Sequence, residues 1–93
     1  MNFFPASVIG DSADTTLGIR PEDLYLSDEG PLTANVTHVE HLGGDTNVIA
    51  MMQDHQITAR LFGQHQVNAG ESVHFGYAHD RTYRFNQQGA RLT

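Results

Sequence analysis

The chain has no cysteine and no lysine, and each absence closes off chemistry. Without cysteine there are no disulfides and no thiolate zinc sites, a composition compatible with a reducing compartment. Without lysine there is no P-loop, whose lysine must reach the nucleotide phosphates, and no Schiff-base chemistry. Basic side chains in general are scarce: five arginines stand among eleven acids, for a formal charge of −6. Nucleic-acid binding needs a positive stripe, and these arginines are scattered. Anionic membrane surfaces repel such a chain on average. No apolar run approaches the roughly 18 residues of a membrane-spanning helix, and the N-terminus lacks the basic-then-apolar pattern of a signal peptide. The length of 93 residues fits one small domain.

What is present is a series of short apolar stretches separated by turn residues. Met1 to Ile9 reads as an edge strand that Pro5 confines or breaks. A polar loop is expected over Gly10 to Asp14, and a short strand over Thr15 to Ile19. Leu24 to Leu26 follows as a strand, then turn chemistry over Ser27 to Pro31. Thr33 to Leu42 is a longer strand whose mixed face of Val36, His38, Glu40 and Leu42 predicts a bulge or a curved barrel strand. Thr46 to Gln53 is almost continuously apolar, the pattern of a strand covered on both sides. Gln56 to Phe62 alternates, with Asp54-His55 before it as a two-residue hairpin. Ser72 to Ala78 alternates, with Val73, Phe75 and Tyr77 inward, and Thr82 to Phe85 is the last strand. Many short strands at this spacing predict a small all-β barrel or sandwich.

The octet Leu17-Gly18-Ile19-Arg20-Pro21-Glu22-Asp23-Leu24 is the most informative segment. Pro21 pushes Arg20 toward an extended conformation and is itself suited to a first helical position. Glu22 and Asp23 stand where a helix start favours negative charge. The octet therefore reads as strand, sharp stop, one helical turn and new strand. Arg20, Pro21, Glu22 and Asp23 form a corner that either caps its own turn or contacts a partner.

Other chemistry is thinly supported. The six histidines show no ligand spacing: His38 and His41 fall on opposite faces of a strand, and no H-E-x-x-H is present. Glu40 is the best single carboxylate, expected in a structural ion pair with Arg60 or with Arg20 across the barrel. No serine elbow is found. Phe3, Phe4, Phe75, Tyr77, Tyr83 and Phe85 are expected to pack rather than stack on bases, given the acidic balance. No catalytic, cofactor or metal residue is assigned.

The octet also resembles the GIRPE signature in the C-terminal regulatory domain (the transport-associated OB, or TOBE, domain) of the ATP-binding subunit of sugar and glycerol-3-phosphate type import ABC transporters. Met1-Asn2-Phe3-Phe4-Pro5 is similar to that family's way into the domain, and Val39-Glu40-His41-Leu42-Gly43-Gly44-Asp45-Thr46 to its VExLGxDT stretch. Ile57 to Arg60, Gly70-Glu71-Ser72-Val73, and Arg84-Phe85-Asn86 through Gly89-Ala90-Arg91-Leu92 resemble later pieces in the family's order. The chain departs from the pattern in two places. Only Ala6 to Thr16 fills a gap that usually holds several strands, and Asn86 stands where the family has Asp.

The resemblance implies an OB-like five-stranded Greek-key barrel with one short helical turn. Residues 1–16 are then an opening strand and shortened linker, and 17–93 the barrel, in a single domain excised from a longer ABC ATPase with Met1 internal to it. It implies a non-catalytic regulatory and dimerisation domain, with no cofactor of its own and with ATP and magnesium held by the parent's N-terminal domain. The implied partners are a second ATPase subunit, membrane permease subunits met through the parent, and a cytoplasmic regulator, with no nucleic acid. The implied location is the cytoplasmic face of the cell membrane. An oxyanion-binding OB module is the alternative, disfavoured by the missing lysine and by the lack of a serine- or asparagine-rich anion loop.

Overall fold

The computed structural model describes residues 1–12 and 14–92. Ala13, part of the expected Gly10 to Asp14 loop, and Thr93, the end of the expected barrel, lie outside the described residues. The elements are eight strands and three 3-10 turns, without an α-helix among the described residues. The strands are β1 (Asn2–Pro5), β2 (Thr16–Ile19), β3 (Leu24–Leu26), β4 (Leu32–Leu42), β5 (Asp45–Met52), β6 (His55–Phe62), β7 (Ser72–Tyr77) and β8 (Thr82–Phe85). The 3-10 turns are Ala6–Ile9, Pro21–Asp23 and His79–Arg81.

Five strands form one antiparallel sheet in the order β3-β7-β4-β5-β6. The run β4, β5, β6 is a meander, and β7 returns to lie beside β4, which is the Greek-key order. The edge strand β3 and the Pro21–Asp23 turn pack against the other edge strand, β6, so the sheet curls toward closure. This is the expected all-β, OB-like architecture. Beyond the five strands that the resemblance implies there is a second sheet, three-stranded in the order β1-β2-β8. It gathers the opening strand, the strand before the corner and the last strand. Two further 3-10 turns also join the one expected.

Strand β4 is long because it serves two neighbours. Leu32 to Asn35 pair with β7, while Asn35 to Leu42 pair with β5. The register shifts between Val36 and His38, which is the expected bulge. There the backbone of Val36 bonds the loop after β6 instead, its N–H to Glu71 O at 2.8 Å and its C=O to Gly70 N–H at 2.7 Å. The hairpin between β5 and β6 turns one residue earlier than expected. Met52 pairs with His55, leaving Gln53-Asp54 as the loop, and Gln53 takes the positive φ of 56°. Strand β5 is buried on one face and half-buried on the other rather than fully covered.

The core lies between the sheets. Val48, Ala50 and Met52 of β5 and Ile57, Ala59 and Leu61 of β6 point inward, with Phe75 and Tyr77 of β7. The three-stranded sheet adds Phe4, Leu17 and Ile19, all buried. Alanines at 34, 50 and 59 alternate with larger neighbours and fit the narrow interior. The turn Ser27 to Gly30 closes with Gly30 N–H on Ser27 O at 2.9 Å. Gly30 lies against the backbone of Phe75, where no side chain fits.

Phe75 is fully buried and faces Leu26 on β3 and Leu32 on β4. Phe75→Ala is expected to cost about 3–5 kcal/mol in urea denaturation. A loss below about 1 kcal/mol would place this side chain outside the core.

Candidate functional site

The corner is built as its sequence dictates. Arg20 is extended at φ −70° and ψ 147°, Pro21 opens the 3-10 turn, and Asp23 N–H donates to Arg20 O at 2.9 Å. Its side chains reach in different directions. The exposed Arg20 guanidinium donates to Tyr83 Oη at 3.2 Å and sits over that ring at 5.6 Å, while Arg91 covers the same ring at 4.7 Å. Asp23 faces Arg81 at a loose 3.7 Å. Glu22 is exposed and borders a depression of about 310 Å³ at the seam between β3 and β6, with Tyr25, Arg60 and Phe62 beside it. The corner thus ties β2 to β8 and to the 3-10 turn before it, while leaving Arg20 and Glu22 open to solvent.

The expected ion pair between Glu40 and Arg60 does not form. Glu40 is opposite Asn47, and Asn47 is opposite Arg60. The two charges are therefore separated by an intervening strand, about 9–10 Å at ordinary strand spacing. Arg60 instead reaches diagonally to Asp45, with Nε and a terminal nitrogen at 2.9 and 2.8 Å from Oδ2. The same is true of the alternative partner, since Arg20 turns to Tyr83. Glu40 stays exposed on the outer face.

Two features escaped the sequence. Asp11 and Arg84, far apart in the chain, pair at 2.8 Å. The Arg84 hydrogen bond, followed by the Ser12 backbone N–H, holds the Asp11 carboxyl below its ordinary value. Burial, the largest influence on Tyr77, raises its phenol above the usual range, so that ring stays neutral.

The second feature is a polar depression of about 470 Å³ between the β4–β5 hairpin and the loop after β6, lined by His41, Gln64, His65, Gln66, Val67 and Asn68. Buried Val67 anchors that loop. Thr46 organises the site: it is opposite His41 in the ladder, its hydroxyl donates to Gly63 O at 3.0 Å, and it accepts His65 N–H at 3.3 Å. Gln64 Nε2 donates to Gly43 O at 2.7 Å, and Gln64 Oε1 meets His41 Nδ1 at 3.1 Å. His65 Nε2 meets Phe62 O at 2.9 Å. No cluster of three or more metal-ligating side chains occurs among the described residues.

Compared with known proteins, the sequence profile of the TOBE domain matches residues 17–85. That span covers most of the chain and runs from β2 through β8. The chain belongs to the TOBE domain family. No curated protein matches it. The match begins at the octet and takes in the whole five-stranded sheet, while β1 precedes it. Among the described residues, no helix of this TOBE domain is long and apolar enough to cross a membrane.

The Asp11–Arg84 pair gives this TOBE domain a pH signature. A carboxyl with a depressed folded pKa adds stability above its unfolded value, near 3.8, and loses it as pH falls through the lower folded value. Asp11→Asn is expected to lower Tm slightly at pH 7, since the pair is exposed. The difference should vanish in acid below both values. A gap that persists in strong acid would show that the substitution acts otherwise.

Proposed function

We propose that this TOBE domain is the non-catalytic regulatory domain of the ATP-binding subunit of an import ABC transporter of the sugar or glycerol-3-phosphate type. The reading is supported by the family match over residues 17–85 together with the resemblance of the octet Leu17 to Leu24 to the GIRPE signature of that transporter class. In this role ATP and magnesium are handled by a separate ATPase domain of the parent. The TOBE domain contributes contacts to a second ATPase subunit or to a cytoplasmic regulator, while the permease subunits are met through the ATPase domain. The assembly sits at the inner face of the cell membrane.

The corner suits a contact role. Its backbone is fixed by proline and by its own hydrogen bonds, so Arg20 and Glu22 are presented from a rigid base with little ordering left to do on binding. The oxyanion reading has less support, because no arginine lines the polar depression around His41 and His65.

The test compares two polypeptides. Titrated with ATP and magnesium, the chain of residues 1–93 is expected to give no saturable signal, having no lysine and no phosphate loop. A polypeptide that carries this domain together with the proposed ATPase domain is expected to bind. Micromolar binding by the chain alone, or a native gene product with no nucleotide-binding ATPase segment, would overturn the proposal.

A further inference from the structure

The outer face of the three-stranded sheet carries rings where a solvated sheet face ordinarily carries polar side chains. Phe3 is paired with Gly18 and Gly18 with Tyr83, while Phe85 is paired with Thr16. Residues directly opposite one another share a face, so these side chains lie together, and Leu17 and Ile19 take the buried side. The Phe3 and Phe85 rings meet edge to face at 5.9 Å. Both rest on Gly18, where a Cβ would meet them at 3.1 and 3.2 Å, with Met1 Sδ beside them. Phe3 is nonetheless 56 % exposed and Met1 49 %. Single exposed apolar side chains need no explanation, but a group of them on one face marks a contact surface.

A groove of about 380 Å³ adjoins these rings, lined by Phe3, Thr16, Phe85, Asn86, Gln87 and Gly89. The wall formed by the loop after β8 is held in place by its own bonds. Asn86 N–H donates to Ala90 O at 2.8 Å, and Asn86 Oδ1 accepts the N–H groups of Gln88 and Ala90 at 3.0 and 2.8 Å. Charge is uneven across this face. Arg20 and Arg91 lie over the Tyr83 ring at 5.6 and 4.7 Å, two residues along β8 from Phe85. Arg60, Arg81 and Arg84 each face a carboxylate, whereas Arg20 pairs with none among the described residues. At Gln87 the surface is acidic instead, since Gln87 donates to Asp14 Oδ1 at 2.8 Å.

We propose that this face docks an extended segment of a partner polypeptide that carries a carboxylate two residues from an aromatic side chain. The aromatic ring enters the groove beside Phe3 and Phe85, and the carboxylate meets Arg20 and Arg91. Strand geometry supports the pairing. Tyr83 and Phe85 stand about 7 Å apart, the i to i+2 distance of any extended chain, so one face of the segment reaches both places. Tyrosine and arginine are also the side chains enriched where contact surfaces concentrate their binding energy. Charge decides the occupant. A second copy, or a nucleic-acid strand, meets the whole net charge of −6. A single carboxylate answers first to the two arginines, because at physiological salt charges beyond about 8 Å are largely screened. This surface is separate from the seam between β3 and β6, and the proposal does not depend on a transporter role.

The experiment titrates the chain with two capped peptides in a Gly-Ser background, followed by amide NMR. One peptide has Asp-Ser-Phe at its centre and the other Phe-Ser-Asp. At least one is expected to shift the amides of Gly18, Tyr83 and Phe85 saturably at millimolar concentration or below. Replacing its Asp by Asn should weaken binding about threefold at low salt, and replacing its Phe by Ala about tenfold. Arg20→Gln should weaken the Asp peptide and leave the Asn peptide unchanged, a coupling that a merely structural role would not produce. Phe3→Ser should weaken both, while Phe62→Ser, which removes an exposed ring on β6, should change nothing. The proposal is overturned if neither peptide shifts these amides, or if the Asn peptide binds as well as the Asp peptide. Shifts centred on Tyr25 and Phe62 would overturn it too. So would a dimer in sedimentation that Phe3→Ser dissociates, since a second copy then occupies the face, or an oligothymidylate that shifts the same amides more tightly than either peptide.

Discussion

One buried amide joins the two sheets. Asn2 is 7 % exposed, and its side chain makes both possible bonds to the backbone of Thr58: Nδ2 to Thr58 O and Oδ1 from Thr58 N–H, each at 2.8 Å. Thr58 lies on β6, an edge strand of the larger sheet. Its outward N–H and C=O would otherwise be orphaned at a half-buried position, at a cost of about 1–3 kcal/mol for each group left unpaired. Asn2 acts as one rung of an added strand. By docking β1 there it brings Phe4 into the core, and β1 in turn carries β2 and β8 by ladder pairing.

With that join in place, the rest of the frame is over-determined. The bulge in β4 frees Val36 to hold the loop after β6, and Thr46 holds the start of the same loop from inside. The loop is therefore pinned at both ends, and the side chains it carries are presented in set positions. The corner is rigid for a different reason, the fixed φ of Pro21 and a closed 3-10 turn. The barrel thus presents two rigid rim elements, the corner and the loop after β6.

What could be read in the sequence was local. The alternation in Ser72 to Ala78, and the proline with two acids after Arg20, specify a strand and a corner from neighbouring residues alone. The bulge near Val36 was legible because the polar and apolar positions fell out of phase there. The hairpin after β5 was misplaced by one residue because Asp and His accept positive φ more readily than Gln. Burying Met52 and Ile57 on one face set the register instead, and Gln53 took the strain. The strand membership of the second sheet, the Asn2 join and the anchor at Val67 were not legible, since each depends on which strands become neighbours. The site residues divide in the same way. The shape of the corner was visible, but its contacts with Tyr83 and Arg81 were not. Glu40 and Arg60 were matched by charge without knowing that β5 runs between them, and His41 and His65 share no sequence spacing that would have flagged them.

If the two sheets form one unit through Asn2, the amide of Thr58 should be among the slowest to exchange in native-state hydrogen exchange. Asn2→Ala should strip that protection and speed exchange across β1, β2 and β8, while the centre of the larger sheet at Val48 and Ala59 stays slow. Unchanged protection at Thr58 in Asn2→Ala, or a three-stranded sheet that already exchanges fast in the parent chain, would contradict the account.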